Sequence, residues 1–185
     1  MKHYFNLYIK PGDLRETRDA LGKVWRIAHG CANAAQTPMA VAFPHYVEGR
    51  SLGDVLRLFA PSDDKADALA RHIGEAHCTL IDDMSRTEYA AQAPVHMAFF
   101  MERMPSRLPE RLAGDKDWVK RRDEIRQRAT QRQREYPFAA MQSSTGHQFL
   151  LKVRREIVQP QAQDGVPNAY GLSRKTQVIA LPMAI

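Results

Sequence analysis

A chain of 185 residues, 44% hydrophobic and 26% charged, belongs to the soluble globular class, as one ordinary domain or two small ones sharing a core. Its net charge of +6 at pH 7 suits a polyanionic partner. The longest apolar runs, residues 38–44 and 178–183, are too short to span a membrane, and Met1-Lys2-His3-Tyr4-Phe5 does not open a secretory signal; a cytoplasmic location and no membrane partner are expected.

Residues 2–9, rich in aromatic and β-branched types, predict a strand that Pro11-Gly12 stops. Asp13 is placed to cap a helix running to about His29, with Leu14, Leu21, Val24, Trp25 and Ala28 on one face and Gly30 as its C-cap. Strands are expected at 39–43, ended by Pro44, and at 54–59. Pro61-Ser62 opens a second helix to about His72. A fourth strand fits either between His77 and Ile81 or at 95–101. The order β-α-β-β-α-β over about 100 residues predicts a ferredoxin-like (RRM-like) unit, residues 1–101. After Pro105 and Pro109 the character changes. Gly114-Asp115 starts another helix that ends before Pro137, and short β-like runs with turn signals follow to the end. The fold expected is α+β, the second unit (residues 102–185) being smaller, mixed and built around an arginine-rich helix.

Cys31 and Cys78 have no CxxC spacing, so neither a zinc cage nor a disulfide framework is indicated, and two reduced, partly buried thiols are expected. His72 and His77 are five apart, on different helical faces, and HExxH is absent. No metal or cofactor is expected.

The charge is local. Residues 116–134 hold eight Lys or Arg against three acids. On a helical wheel Trp118, Ile125 and Ala129 form one narrow apolar line, with Arg122 and Arg126 on one side and Arg121, Arg128 and Arg132 on the other. A core helix needs a wider stripe. Asp117–Arg121 and Glu124–Arg128 are spaced as i,i+4 pairs, so a solvated surface helix is the plain alternative. The surplus of arginine, whose planar fork bonds two phosphate oxygens at once, favours nucleic acid over an acidic protein partner.

Two short segments near the C-terminus collect hydroxyls, glycines and rings: Ser143-Ser144-Thr145-Gly146-His147-Gln148-Phe149 and Tyr170-Gly171-Leu172-Ser173. Cutting RNA without a metal requires a base for the ribose 2′-hydroxyl, a donor that orients or stabilises, and a ring to stack on the neighbouring base. His29, at the predicted C-terminal end of its helix, has the chemistry of the base, and the negative end of the helix dipole favours its protonated form. Singly, His29 reads as a helix cap, Tyr170 as a core or edge tyrosine, and Ser143 and Ser144 as turn hydroxyls. The reading rests on their combination.

In this order the motifs resemble a known family, the CRISPR-associated endoribonucleases of the type I-F (Ypest) system, along nearly the whole chain. The resemblance is carried by His3-Tyr4 and Pro11, His29-Gly30, Val41-Ala42-Phe43-Pro44, Arg50-Ser51-Leu52-Gly53-Asp54-Val55-Leu56-Arg57, the arginine-rich helix, Ser144-Thr145-Gly146 with Phe149, and Tyr170-Gly171-Leu172-Ser173. It implies metal-independent cleavage of a CRISPR RNA stem-loop at the 3′ base of the hairpin by 2′-hydroxyl attack. It also implies that the product is retained as the guide RNA of a type I-F surveillance complex, alongside that complex's other subunits. By position His29 is the general base, and Tyr170 orients it or the substrate. Phe149 stacks at the cut, and Ser144 with Thr145 holds the adjacent backbone. Ser143 joins them, and Arg103, Arg107, Lys120, Arg121, Arg122, Arg126, Arg128 and Arg132 bind RNA.

Three positions depart from the family pattern. Gln142 stands where a serine two residues before Ser144 is usual, and Ser143 or Ser144 is the substitute. Glu102-Arg103-Met104 lacks the base-reading glutamine of an Arg-x-Gln element. A gap near His29 would align Trp25 in its place; only His29 has the chemistry. A hairpin-binding subunit that cleaves weakly or not at all is the alternative.

Overall fold

In the computed structural model, which describes residues 1–90, 93–102, 116–143, 145–160 and 165–183, the first strand, β1 (His3–Ile9), buries alternate residues Phe5, Leu7 and Ile9. The side chains of Lys116, Trp118, Val119, Ala129, Arg132 and Gln133 are not described. Helix α1 (Leu14–Ala34) starts where Asp13 predicts. The Asp13 carboxylate accepts from the Arg15 and Glu16 amides at 2.7 and 2.8 Å, and the Glu16 carboxylate accepts from the Asp13 amide at 3.0 Å, closing a capping box. Its buried face is Leu21, Gly22, Val24, Trp25, Ala28 and Ala32. Two expectations change here. Leu14 is exposed, lying ahead of the packed face, and Gly30 does not end the helix. Burial of Ala32 against the core carries the helix one turn further, to a cap at Ala35.

Strands β2 (Ala40–Ala42) and β3 (Val55–Ala60) follow, then α2 (Asp63–Glu75), which buries Ala66, Leu69 and Ile73. Strand β4 (Ile81–Met84) pairs antiparallel with β1, Leu7 opposite Met84, and the short β5 (Glu88–Tyr89) pairs with the start of β1. The resulting order β2-β3-β1-β4, all antiparallel, is the ferredoxin-like arrangement.

Neither of the two stretches expected as a fourth strand supplies it: residues 77–80 form the turn after α2, with His77 at φ +45°, β4 begins only at Ile81, and the later stretch belongs elsewhere. Strand β6 (Val95–Glu102) lies in a second antiparallel sheet with β7 (Phe138–Gln142), β8 (Gln148–Val158) and β9 (Leu181–Met183), ordered β7-β8-β6-β9. The arginine-rich helix α3 (Lys116–Arg134) precedes β7. The molecule is α+β, as the sequence predicts. Cys31 and Cys78 are free thiols; burial, and then the Glu75 carboxylate, pushes the Cys31 thiol up.

One hydrophobic core joins the two sheets. Trp25 packs edge-on to Phe43 at 5.2 Å between ring centres, Phe43 to Phe99 of β6 at 5.4 Å, and Phe99 to Tyr46 at 6.2 Å. Such edge-to-face pairs add about 0.5–1.5 kcal/mol each beyond their buried area. The Tyr46 hydroxyl donates to the Val153 carbonyl of β8 at 3.2 Å. Helix α1 also lies directly on β7, because Gly22 lets the two backbones touch: a Cβ at Gly22 would sit 1.8 Å from the Ala140 carbonyl oxygen.

That contact decides the sign of a substitution that helix propensity alone would favour. Alanine at an interior helix position gains about 1 kcal/mol over glycine. Here the added methyl meets backbone, which cannot rotate away, and overpacking costs about 1–3 kcal/mol. Gly22→Ala is expected to lower unfolding free energy by up to about 2 kcal/mol net in urea titrations; a more stable variant would contradict the close approach.

Candidate functional site

The Tyr170-Gly171-Leu172-Ser173 segment lies between the two sheets, and its backbone is bonded to three different elements. The Trp25 indole N–H of α1 donates to the Tyr170 carbonyl at 3.0 Å. The Val41 amide of β2 donates to the Gly171 carbonyl at 2.9 Å, and the Ser173 amide donates to the Phe99 carbonyl of β6 at 2.8 Å. Asn168 forms the turn that precedes them: its side-chain oxygen accepts from the amides of Tyr170 and Leu172 at 2.8 and 3.1 Å. Gly171 adopts φ +77°, and a Cβ there would lie 2.7 Å from Val41 Cγ2. Leu172 is buried and Tyr170 only half-buried, so the segment anchors itself and leaves the tyrosine ring at the surface.

Phe149, on β8 opposite Met141 of β7, meets that ring edge-on, with centres 6.1 Å apart and planes at 67°. The two aromatic residues singled out in the sequence are therefore neighbours. His29 sits one turn after Trp25 on the same face of α1, half-buried, with Nδ1 3.4 Å from Asn33 Nδ2. It lies more than a turn from the helix end at Ala34, so it is not the helix-terminal residue that the sequence predicts. Trp25 itself is fully buried and spent on packing and on the Tyr170 carbonyl.

Helix α1 tracks β7 toward the β7–β8 turn. Gly22 meets Ala140; one turn on, Arg26 Nη1 donates to Gln142 Oε1 at 2.6 Å; the turn after that carries His29. The β7–β8 turn is braced from within. Ser143 Oγ accepts from the His147 amide at 3.0 Å and lies 2.9 Å from Thr145 Oγ1, and Gln142 Nε2 donates to the Gly146 carbonyl at 3.2 Å. Ser143 thus serves as a turn hydroxyl, while Thr145 is exposed. Ser144, Arg103 and Arg107 lie outside the described residues.

Helix α3 has no extensive packing partner among the described residues. Lys120, Arg121, Arg126 and Arg128 are exposed and Arg122 half-exposed, its Nε 3.3 Å from Asp123. The Glu124–Arg128 ion pair of the surface-helix alternative does not form among the described residues. Of the expected apolar line Ile125 is described, and it is 40% exposed. Backbone is all that is described for Arg132. The sequence did not single out Arg26 or Asn168 as shaping the site; the Pro167-Asn168 turn signal was the clue for the second. Among the described residues no group of three or more His, Cys, Asp or Glu could hold a metal ion, and no helix is long and apolar enough to cross a membrane.

A ferredoxin-like sheet, a second antiparallel sheet, an exposed arginine-rich helix, and an aromatic pair tied through Trp25 to the helix that carries His29 make an α+β molecule with a basic, ring-bearing surface. The profile of the family described as CRISPR-associated protein (Cas_Csy4) matches residues 4–183, nearly the whole chain, and the chain belongs to that family of type I-F CRISPR-associated endoribonucleases. No curated protein matches it.

The Trp25 indole is the link whose removal tests the site's framework. Trp25→Phe keeps a ring in the core but deletes the donor and leaves the Tyr170 carbonyl unpaired. A loss of about 1–3 kcal/mol of stability is expected. Increased accessibility of Tyr170, read by amide hydrogen exchange over residues 168–173, should accompany it.

Proposed function

We propose that the chain cuts the stem-loop of a CRISPR repeat RNA at the 3′ base of the hairpin, without a metal, and keeps the product as guide RNA in a type I-F surveillance complex in the cytoplasm. The observation that carries the reading is the Phe149–Tyr170 pair, held by Trp25 one helical turn from His29. Neutral His29 takes the proton from the ribose 2′-hydroxyl. The alkoxide attacks the adjacent phosphorus and the 5′-oxygen leaves, taking a proton from the His29 imidazolium or from solvent, so one strand ends in a cyclic phosphate and the other in a 5′-hydroxyl. Tyr170 orients the base or the substrate, Phe149 stacks on the nucleotide at the cut, and Ser143, Ser144 and Thr145 line the adjacent backbone. In the division of labour proposed here, the ferredoxin-like unit supplies His29. The C-terminal unit supplies the aromatic wall and the cations of α3, with Arg103, Arg107 and Arg132 among them.

A second reading is favoured by Gln142 and Ser143. The amide at the position of the family's serine is engaged at both ends, by Arg26 and by the Gly146 carbonyl, and the Ser143 hydroxyl is occupied within the turn. A subunit that binds the hairpin and cleaves it slowly or not at all fits those bonds. Incubation with the host's repeat hairpin in chelator separates the two. Metal-free cleavage blocked by a 2′-deoxy at the cut supports the enzyme; tight binding with no product supports the second reading.

Within the first reading His29→Ala is expected to abolish cleavage, by a hundredfold or more, while hairpin affinity stays within about twofold. Normal cleavage by that variant would remove His29 as the base. Arg121→Ala and Arg128→Ala should instead weaken binding and each lower the slope of log K against log salt by about one, since every phosphate contact releases counterions.

A further inference from the structure

Beside the aromatic wall, on the side of Phe149 that faces α1, a cleft of about 380 Å³ opens between the helix and the β7–β8 hairpin. Pockets that take one small organic group begin at about 300 Å³. Lys23 and Arg26 rim it from α1, one and four residues past Gly22, and Gln148, Phe149 and Leu150 line it from β8. Its floor exists because Gly22 brings α1 into contact with β7, so the cleft is part of the packed framework.

Its chemistry suits a single nucleotide. Leu150, on the same face of β8 as Gln148, is 56% exposed, an apolar side chain unusual at an open strand face and suited to the flat side of a base, while Phe149 between them turns to the opposite face. Gln148 is exposed beside them and carries both a donor and an acceptor for a base edge. The cationic side is not neutralised internally. Arg26 is bonded to the uncharged Gln142, and Lys23 forms no ion pair among the described residues, although Asp19 lies one turn before it.

Resting on the reading above, in which Phe149 holds the nucleotide at the cut, we infer that this cleft binds the first nucleotide of the single strand 3′ of the cut. Lys23 takes its phosphate, and Gln148 and Leu150 meet its base. A strand that continues past a base stacked on Phe149 must leave the stem at that ring, and the cleft is the basic channel that adjoins it. The stem itself has α3.

The test measures equilibrium binding to the host's repeat hairpin in three forms, each with a 2′-deoxy at the cut. One ends at the cut, one carries two further nucleotides 3′, and one carries two further nucleotides 5′. The 3′ extension is expected to tighten binding by about tenfold, from one phosphate contact and one partial stack. Lys23→Ala and Gln148→Ala should erase most of that gain and leave the affinity for the bare hairpin within twofold. No gain from the 3′ extension, a Lys23-dependent gain from the 5′ extension instead, or an equal loss on the bare hairpin would each overturn the inference with hairpin binding intact. If the bare hairpin itself fails to bind, the functional reading falls, and the inference with it.

Discussion

A chain segment buried between two sheets must find a partner for every amide it carries, and that requirement organises this molecule around residues 170–173. Successive carbonyl and amide groups there are satisfied by a side chain of α1, by the backbone of β2 and by the backbone of β6. No one of these bonds is worth more than about 0.5–1.5 kcal/mol net. Leaving one unmade inside the core would cost more, so the three are enforced together. The result is a fixed exit point for the Tyr170 ring, next to Phe149.

The residue types of that segment follow from the same constraint. Gly171 is required by its positive φ and by the approach of Val41 and Met39, Leu172 fills the core, and the Ser173 hydroxyl accepts from the Ile179 amide at 3.0 Å. A motif that reads as catalytic in one dimension is three parts framework and one part site. The same holds for Ser143, whose hydroxyl closes a turn, and for Trp25, whose indole fixes the tyrosine. Framework and candidate site share residues because the segment carrying Tyr170 lies on the seam between the sheets.

Local signals explain what was legible in the sequence. Asp13 marked a helix start to the residue, and the apolar spacing of Leu21, Val24, Trp25 and Ala28 gave the buried face. The helix end was missed because Gly30 is a local stop signal, whereas burial of Ala32 is a tertiary fact. The fourth strand was misplaced because pairing with β1 sets it to begin only at Ile81, whereas the later candidate pairs with β8 in the other sheet. Phe149 and Tyr170 were each visible, but their meeting depends on Trp25, 145 residues away from Tyr170 in sequence. Arg26 and Gln142, 116 residues apart, carried no mutual signal at all.

None of the described side chains of helix α3 belongs to this shared core, and the helix's sequence explains why that matters. Lys116 and Lys120, Arg122 and Arg126, and Arg128 and Arg132 are like-charged i,i+4 pairs, each of which weakens a helix by a few tenths of a kcal/mol. Most helices offset such costs by burying an apolar face; Ile125, at 40% exposure, contributes little of that. In the proposed reading the missing partner is the phosphate backbone of the stem, which relieves the repulsion along the helix as it binds. Hairpin affinity and the stability of α3 are then two sides of one electrostatic equilibrium, and salt must weaken the first while it stabilises the free helix. The anchored seam does not share that dependence. Its bonds are buried and mostly uncharged, so the site beside Phe149 keeps its geometry whether or not the helix is occupied.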